Sequence, residues 1–284
     1  MKSVIIYTYY QSPPSSYNLF FFTRKELKYR EDIDYIIVIN GENYDPCIKF
    51  PSISNLTILK RENQGFDFGG HHHALQYLEK ESRKYDCYFF MNSGVIGPIL
   101  PGHLGSSSAT TSDTSSAASS ATASDARHWT HLFIGKITDK VKLVGTTIVC
   151  LPATDAGGQG PKVEGFFFMT DSVGLAIIRE KGTVFYQHAT KRDAIIEGEY
   201  GLSRCILESG YSIDCMLPEY QGIDWLDPAN HNKNNCQHPS RKNSFYGKSI
   251  CPYDVVFHKW YWHGEETVNF DMIQSYIEGF YIKV

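Results

Sequence analysis

The chain has 284 residues, 42% of them hydrophobic and 20% charged, with a net charge of −4. That length supports one large domain or two small ones, with apolar content enough for a sizeable core. The slight negative charge leaves no basic footprint, which argues against nucleic acid or anionic membrane as partners even though the chain holds 19 Tyr and 17 Phe.

SVIIYTY (3–9), DYIIVIN (34–40) and LTILKRE (56–62) are short apolar, β-branched runs and predict strands. Between the first two, residues 16–31 are rich in Leu, Phe, Lys and Glu and predict a helix. The opening order of strand, helix, strand, strand points to an α/β sheet with parallel crossovers. Tyr and two Pro interrupt the first apolar stretch and no small-residue cleavage site follows, so no signal peptide is expected. Runs such as VIIYTYY fall short of the roughly 20 residues of a spanning helix.

From His71, HHHALQYLEKESRKY places Leu75 and Leu78, with the preceding Phe68, at helical spacing. YDCYFFMN (85–92) follows as a strand, and its polar end, Asn92 to Gly94, is where α/β sheets bind ligands. Residues 105–126 are almost entirely Ser, Thr and Ala and predict a flexible surface insertion, with a mobile lid as the functional reading. KLVGTTIVCL (142–151) and VEGFFFMTD (163–171) read as strands, SVGLAIIREK (172–181) and EYGLSRCILES (199–209) as helices, the second closed by Gly210. YSIDCML (211–217) reads as a strand, and a polar loop through 230–243 leads into DVVFHKWYW (254–262).

Seven widely spaced Cys without a C-x-x-C pair indicate buried or incidental thiols in a reducing, cytoplasmic setting rather than a disulfide framework or zinc site. His71, His72 and His73 invite a metal reading, yet consecutive helical residues point in different directions and cannot converge on one ion. They are expected to be polar residues at a helix start, at most one facing a pocket.

ENQGFDFGG (62–70), YFFMNSGVIGP (88–98), KLVGTTIVC, VEGFFFMTD and EYGLSRCILESGY (199–211) together resemble the glycosyltransferases of the nucleotide-sugar-binding GT-A fold over roughly residues 1–225. Their pattern is similar to that of soluble capsid-glycan enzymes of large algal viruses (chloroviruses), in which an NS-x-V-x-GP motif replaces the acidic metal-binding motif. The resemblance implies one α/β domain with a mixed, mostly parallel sheet flanked by helices. In it, 1–98 would bind the nucleotide and 142–284 the acceptor. It also implies a UDP-sugar donor, a glycan or glycoprotein acceptor and, for a viral protein, a host-cytoplasm location. Xylose from UDP-xylose is the sugar favoured, because those enzymes include a xylosyltransferase.

The same resemblance assigns Tyr7, Asn40, Gly65, Asp67, Gly69 and Gly70 to the donor pocket, with helix N-capping as the alternative for Asp67. Asn92, Ser93 and Gly94 stand where the acid motif would hold Mn2+ or Mg2+; a weak ion site near Asn92, Gly94 and His258, or no metal at all, is implied. A strand-end turn is the alternative for these residues. Glu199 aligns with the general base of inverting members, against the alternatives of a favourable acid in a first helical turn or of Glu197 in its place. Glu164, Gly165 and Asp224 are assigned to the sugar or acceptor. His258 and Lys259 are assigned to the diphosphate, a solvated edge-strand pair being the other reading. A catalytically silent binding module and a retaining transferase are the rival functions.

Overall fold

The computed structural model describes residues 1–41, 43–100, 128–262 and 270–277. The insertion expected at 105–126 lies outside the described residues. Seven strands form one mixed sheet in the order β3-β2-β1-β4-β8-β5-β9, flanked by helices on both faces. The N-terminal strands β1 (Ser3–Tyr10), β2 (Ile33–Asn40), β3 (Leu56–Arg61) and β4 (Cys87–Asn92) are mutually parallel. β1 and β2 are buried along nearly their whole length, which explains their unbroken runs of Val, Ile and Tyr.

β4 pairs antiparallel with β8 (Phe167–Asp171), β8 antiparallel with β5 (Val141–Gly145), and β5 parallel with β9 (Ser212–Cys215). Two stretches expected as single strands are broken. Residues 142–151 leave the main sheet after Gly145, and β6 (Ile148–Leu151) instead pairs with β7 (Gly160–Val163) in a separate hairpin. Residues 163–171 divide between β7 and β8, leaving Glu164, Gly165 and Phe166 between sheets. A Cβ at Gly145 would collide with the Val163 side chain, so the crossing requires a residue without one.

Helix α1 (Pro13–Lys25) begins earlier than the residues 16–31 expected, because Ser12 caps it and two prolines occupy the first turn. It stops at Lys25 because Glu26 turns inward, where its carboxylate accepts from Tyr35 Oη (2.9 Å), His128 Nε2 (2.8 Å) and Trp129 Nε1 (2.8 Å). Helix α2 (Phe66–Lys80) likewise starts before His71, directly after the left-handed Gly65 (φ 72°). α3 (Thr130–Ile134) and α1 cover one face of the sheet through Phe22, Trp129 and Phe133. α2, α4 (Ser172–Lys181) and α5 (Gly201–Glu208) cover the other through Phe68, Leu75, Ile178, Leu202 and Ile206. α4 covers the residues 172–181 expected, capped by Asp171 and ended by Gly182 at positive φ.

The chain preceding α5 is already helical: Lys191–Asp193 runs into a π-helical segment, Ala194–Tyr200, and then directly into α5. Glu199 therefore does not open a helix as expected; it sits inside the wide-turn segment. In the late run 254–262, an isolated bridge takes the place of the edge strand of the alternative reading for His258 and Lys259. After the short α6 (Pro252–Val255), His258 exchanges backbone hydrogen bonds with Ile96 (2.9 and 3.0 Å). That bridge lays the C-terminal segment across the end of β4.

No helix among the described residues is long and apolar enough to cross a membrane. The seven cysteines are free, four of them buried.

Candidate active site

The sheet order reverses between β1 and β4, and α/β sheets take ligands in the crevice at the carboxyl ends of the strands at such a switch point. Asn92 and Ser93 stand on its rim. Ser93 donates its N–H to the Thr8 carbonyl (2.9 Å), and the Ser93 carbonyl accepts from Asn18 Nδ2 (2.9 Å). Asn92 Nδ2 donates to Asp67 Oδ2 (2.7 Å) while its Oδ1 accepts the Gly94 N–H (2.8 Å). Both ends of the amide are thus committed. The N-cap of α2 is Gly65, so Asp67 is not the cap; it faces Asn92 from the first turn. Burial pushes its carboxyl above the usual range, while the Asn92 bond and the Lys259 charge partly offset that.

The glycines of the β3–α2 turn make close approaches to the protein itself. Added Cβ atoms would lie 2.6 Å from Gln187 Cα at Gly65 and 2.5 Å from Thr8 Cγ2 at Gly70, and would meet the Gln64 carbonyl at Gly69. Asn40 braces the same turn, donating to the Phe66 carbonyl (3.2 Å) and accepting from Arg61 Nη1 (2.7 Å). Tyr7 lies in the core, 1% exposed, its ring 4.9 Å from that of Phe22. It is a packing residue in this fold, because its side chain has no route to the crevice surface.

Glu164 and Glu199 meet across the gap between β7 and β8. Glu199 Oε1 accepts the Gly165 backbone N–H (3.1 Å). Burial raises the Glu199 carboxyl above its ordinary value and neighbouring Glu164 raises it further, against the opposing pull of Lys259, the Gly165 N–H and His238. Its rival Glu197 points away and pairs with Arg204 Nη2 (3.4 Å). Glu164 is 1% exposed, and its oxygens accept from Thr147 Oγ1 (2.5 Å), Ser240 Oγ (3.0 Å) and His238 Nδ1 (2.7 Å). Burial opposes ionisation of Glu164, but His238, Thr147 and Lys259 outweigh it and hold the carboxyl below its usual range. The Glu164 oxygens are thus occupied by protein donors.

Lys259 follows the Ile96–His258 bridge and brings a positive charge to the crevice. Its Nζ lies 4.2 Å from the centre of the Trp262 ring and 5.3 Å from that of Phe166, and its charge lowers the pKa of Asp67, Glu164 and Glu199 alike. His258 is not a solvated partner of Lys259. It is 1% exposed, neither ring nitrogen has a partner among the described residues, and burial lowers its pKa to about 4.

These donors do not fit a divalent cation. Mg2+ is held through one or two carboxylates, with waters and substrate phosphates completing its shell, and here the one carboxylate beside Asn92, Asp67, is already tied to an amide and lies in the field of an ammonium group. Among the described residues no group of three or more His, Cys, Asp or Glu side chains could hold a metal.

Asp224 is exposed in a turn, where its Oδ1 accepts the Leu226 N–H (3.0 Å). His71 is not a polar helix-start residue but a core one: fully buried among Phe68, Phe90, Phe168 and Phe185, its Nδ1 is 3.0 Å from Thr8 Oγ1 and burial lowers its pKa to about 3. His72 lines a separate pocket between α2 and α4 with Leu75, Ile178 and Tyr186. Sequence reasoning missed His238, Ser240, Thr147 and Trp262, which lie in polar loops or at strand breaks with no spacing that links them to Glu164.

No protein-family model matches this chain, and no curated protein matches it. Solved structures do resemble it. One is a mannosyltransferase from Pyrobaculum calidifontis in complex with GDP-Man and Mn2+, at 12% identity and a TM-score of 0.42 over 81% of this chain and 58% of that one. Another is a cytidylyltransferase from Leptospira borgpetersenii, at 10% identity and a TM-score of 0.41 over 100% of both chains. A third is a 4-diphosphocytidyl-2C-methyl-D-erythritol synthase, at 8% identity and a TM-score of 0.37 over 81% of this chain and 94% of that one. The chain spans less than two thirds of the length of the mannosyltransferase.

Proposed function

We propose that this protein is an inverting glycosyltransferase that moves a sugar from a nucleoside-diphosphate donor to a hydroxyl of a glycan or glycoprotein. The observation that carries the reading is that Glu199 and Lys259 lie in each other's field, a partly exposed carboxylate held by the Gly165 N–H and an ammonium group among aromatic rings. Residues 1–98 would form the nucleotide side and 142–284 the acceptor side.

In the reaction, Glu199 takes the acceptor hydroxyl proton as the oxygen bonds to the anomeric carbon. The bond from that carbon to the diphosphate oxygen breaks on the opposite face, and its electron pair leaves with the diphosphate. Lys259 stabilises the charge that develops there. A carboxyl raised by burial suits the first task, because it is a stronger base than an ordinary surface acid. UDP is the nucleotide and xylose the sugar to test first. A cytoplasmic location, in a host cell for a viral protein, belongs to the same proposal and is supported by the free cysteines.

Glu199→Gln tests the reading. UDP release from a turned-over donor is expected to fall by at least about 10²-fold while calorimetric UDP binding persists. Unchanged turnover removes Glu199 from the role of base. An unchanged anomeric configuration in the product, read by NMR, would replace inversion with retention. Donor binding without any turnover in the native chain would leave a binding module.

A further inference from the structure

We propose that His238 is the second cation of a metal-free diphosphate seat, its Nε2–H hydrogen-bonding a phosphoryl oxygen beside Lys259, with Glu164 as the residue that positions it. This rests on the nucleoside-diphosphate donor proposed above and adds to it the group that recognises the diphosphate.

Three observations converge on the imidazole. Its Nδ1 donates to the nearly inaccessible Glu164 Oε1 (2.7 Å), which fixes the ring and leaves Nε2 as the outward donor. The His238 side chain is 26% exposed against 1% for Glu164, and no described protein group accepts from Nε2. The ring also lies 5.4 Å from that of Trp262, the same indole over which Lys259 Nζ sits at 4.2 Å and the Arg241 guanidinium at 4.7 Å.

Three cationic side chains thus gather on one indole. Its own Nε1 is buried without a hydrogen-bond partner among the described residues. Lys259 lies in the field of Asp67, Glu164 and Glu199, with no carboxylate within ion-pair distance among the described residues. An arrangement of positive groups around an unused N–H calls for an anion with several acceptor oxygens. The diphosphate is that anion at the position where the donor set does not fit a metal. Glu164 supports the charge on His238: burial alone would lower the imidazole pKa, but the Glu164 hydrogen bond and charge raise it above its ordinary value. Arg241 opposes that charge, and Glu199 favours it.

Calorimetry of the full chain in EDTA, with UDP, UMP, uridine and inorganic pyrophosphate as probes, tests the seat. The native chain is expected to bind UDP and pyrophosphate without a divalent ion. His238→Ala should weaken both about tenfold and leave uridine unchanged, which also reports that the variant is folded. His238→Lys should restore part of the loss, and Glu164→Gln should weaken pyrophosphate binding in the same direction. Native affinity should decline as pH rises through the raised His238 pKa, and that step should vanish in His238→Ala. Equal UDP and pyrophosphate affinity in native chain and His238→Ala overturns the proposal, as does pyrophosphate binding that requires Mg2+. The same roughly tenfold loss on His238→Ala is expected in the Glu199→Gln background, so that anion binding and transfer are read separately. Metal-free pyrophosphate binding without any sugar transfer would therefore uphold the seat and sink the transferase reading, while transfer that is insensitive to His238→Ala would do the reverse.

Discussion

Gly165 and Glu199 are fitted to each other on both counts, hydrogen bond and shape. The Gly165 N–H reaches Glu199 Oε1 at 3.1 Å, and a Cβ on residue 165 would stand 2.7 Å from Glu199 Cγ and 3.2 Å from its Cβ. The strand break after β7 supplies the N–H, and the π-helical segment supplies the carboxylate. Wide turns of that kind are frequent at functional sites because they turn a side chain out of the regular helical register.

Gly165→Ala isolates this fit. The alanine methyl would push Glu199 away by an ångström or so and lengthen its only backbone anchor among the described residues. Displacement on that scale costs up to about 10²-fold in rate, so kcat should fall about 10- to 100-fold with donor KM changed far less. Overpacking should also cost about 1–3 kcal/mol of stability, seen as a lower urea midpoint. Native kcat in this variant would show that the position of Glu199 does not set the rate.

The buried Glu164–His238 pair makes stability depend on pH in a defined window. Glu164 is held below its ordinary value of 4.5, so its contribution is present above that value and lost as pH falls through the folded pKa. His238 is held above its ordinary value of 6.5, so its contribution is present below that value and lost as pH rises through the folded pKa. Together they stabilise most between about pH 4.5 and 6.5. Urea unfolding of the native chain and His238→Ala should differ by on the order of 1–3 kcal/mol within the window and by less on either side. A difference independent of pH would mean the pair is not ionised.

The sheet was legible in the sequence wherever burial on both faces imposes a run of apolar, β-branched residues, as in β1, β2 and β4. It was not legible at Thr146–Thr147 or at Glu164–Phe166. A chain crossing from one sheet to another keeps the same apolar pattern as a strand that continues, and only the contact of Gly145 with Val163 marks the crossing. Of the residues singled out, Glu199 and Lys259 lie in each other's field, whereas Tyr7 and His71 belong to the core. Polar and aromatic residues carry no sign of which way they face. His238 is separated from Glu164 by 74 positions, so no local spacing could pair them.

Asn92 occupies the point where a second acid would make a cation site, and reversing that choice tests why it is neutral. Its Nδ2 lies 2.7 Å from Asp67 Oδ2, so Asn92→Asp sets two carboxylate oxygens where one hydrogen bond now stands. Two acids that close cannot both ionise without a cation between them, and the pKa of the pair rises. An acid whose pKa is raised on folding destabilises as pH increases through its unfolded value. Asn92→Asp should therefore lose about 1–3 kcal/mol at pH 7.5, a fall of a few degrees in Tm, and recover it toward pH 5. Millimolar Mn2+ should raise the Tm of the variant and leave that of the native chain nearly unchanged, because only the variant supplies two carboxylates to one ion. An equal Mn2+ shift in the native chain would show that Asp67 and Asn92 already hold a cation, and Lys259 and His238 would then lose their place as the charges that balance the diphosphate.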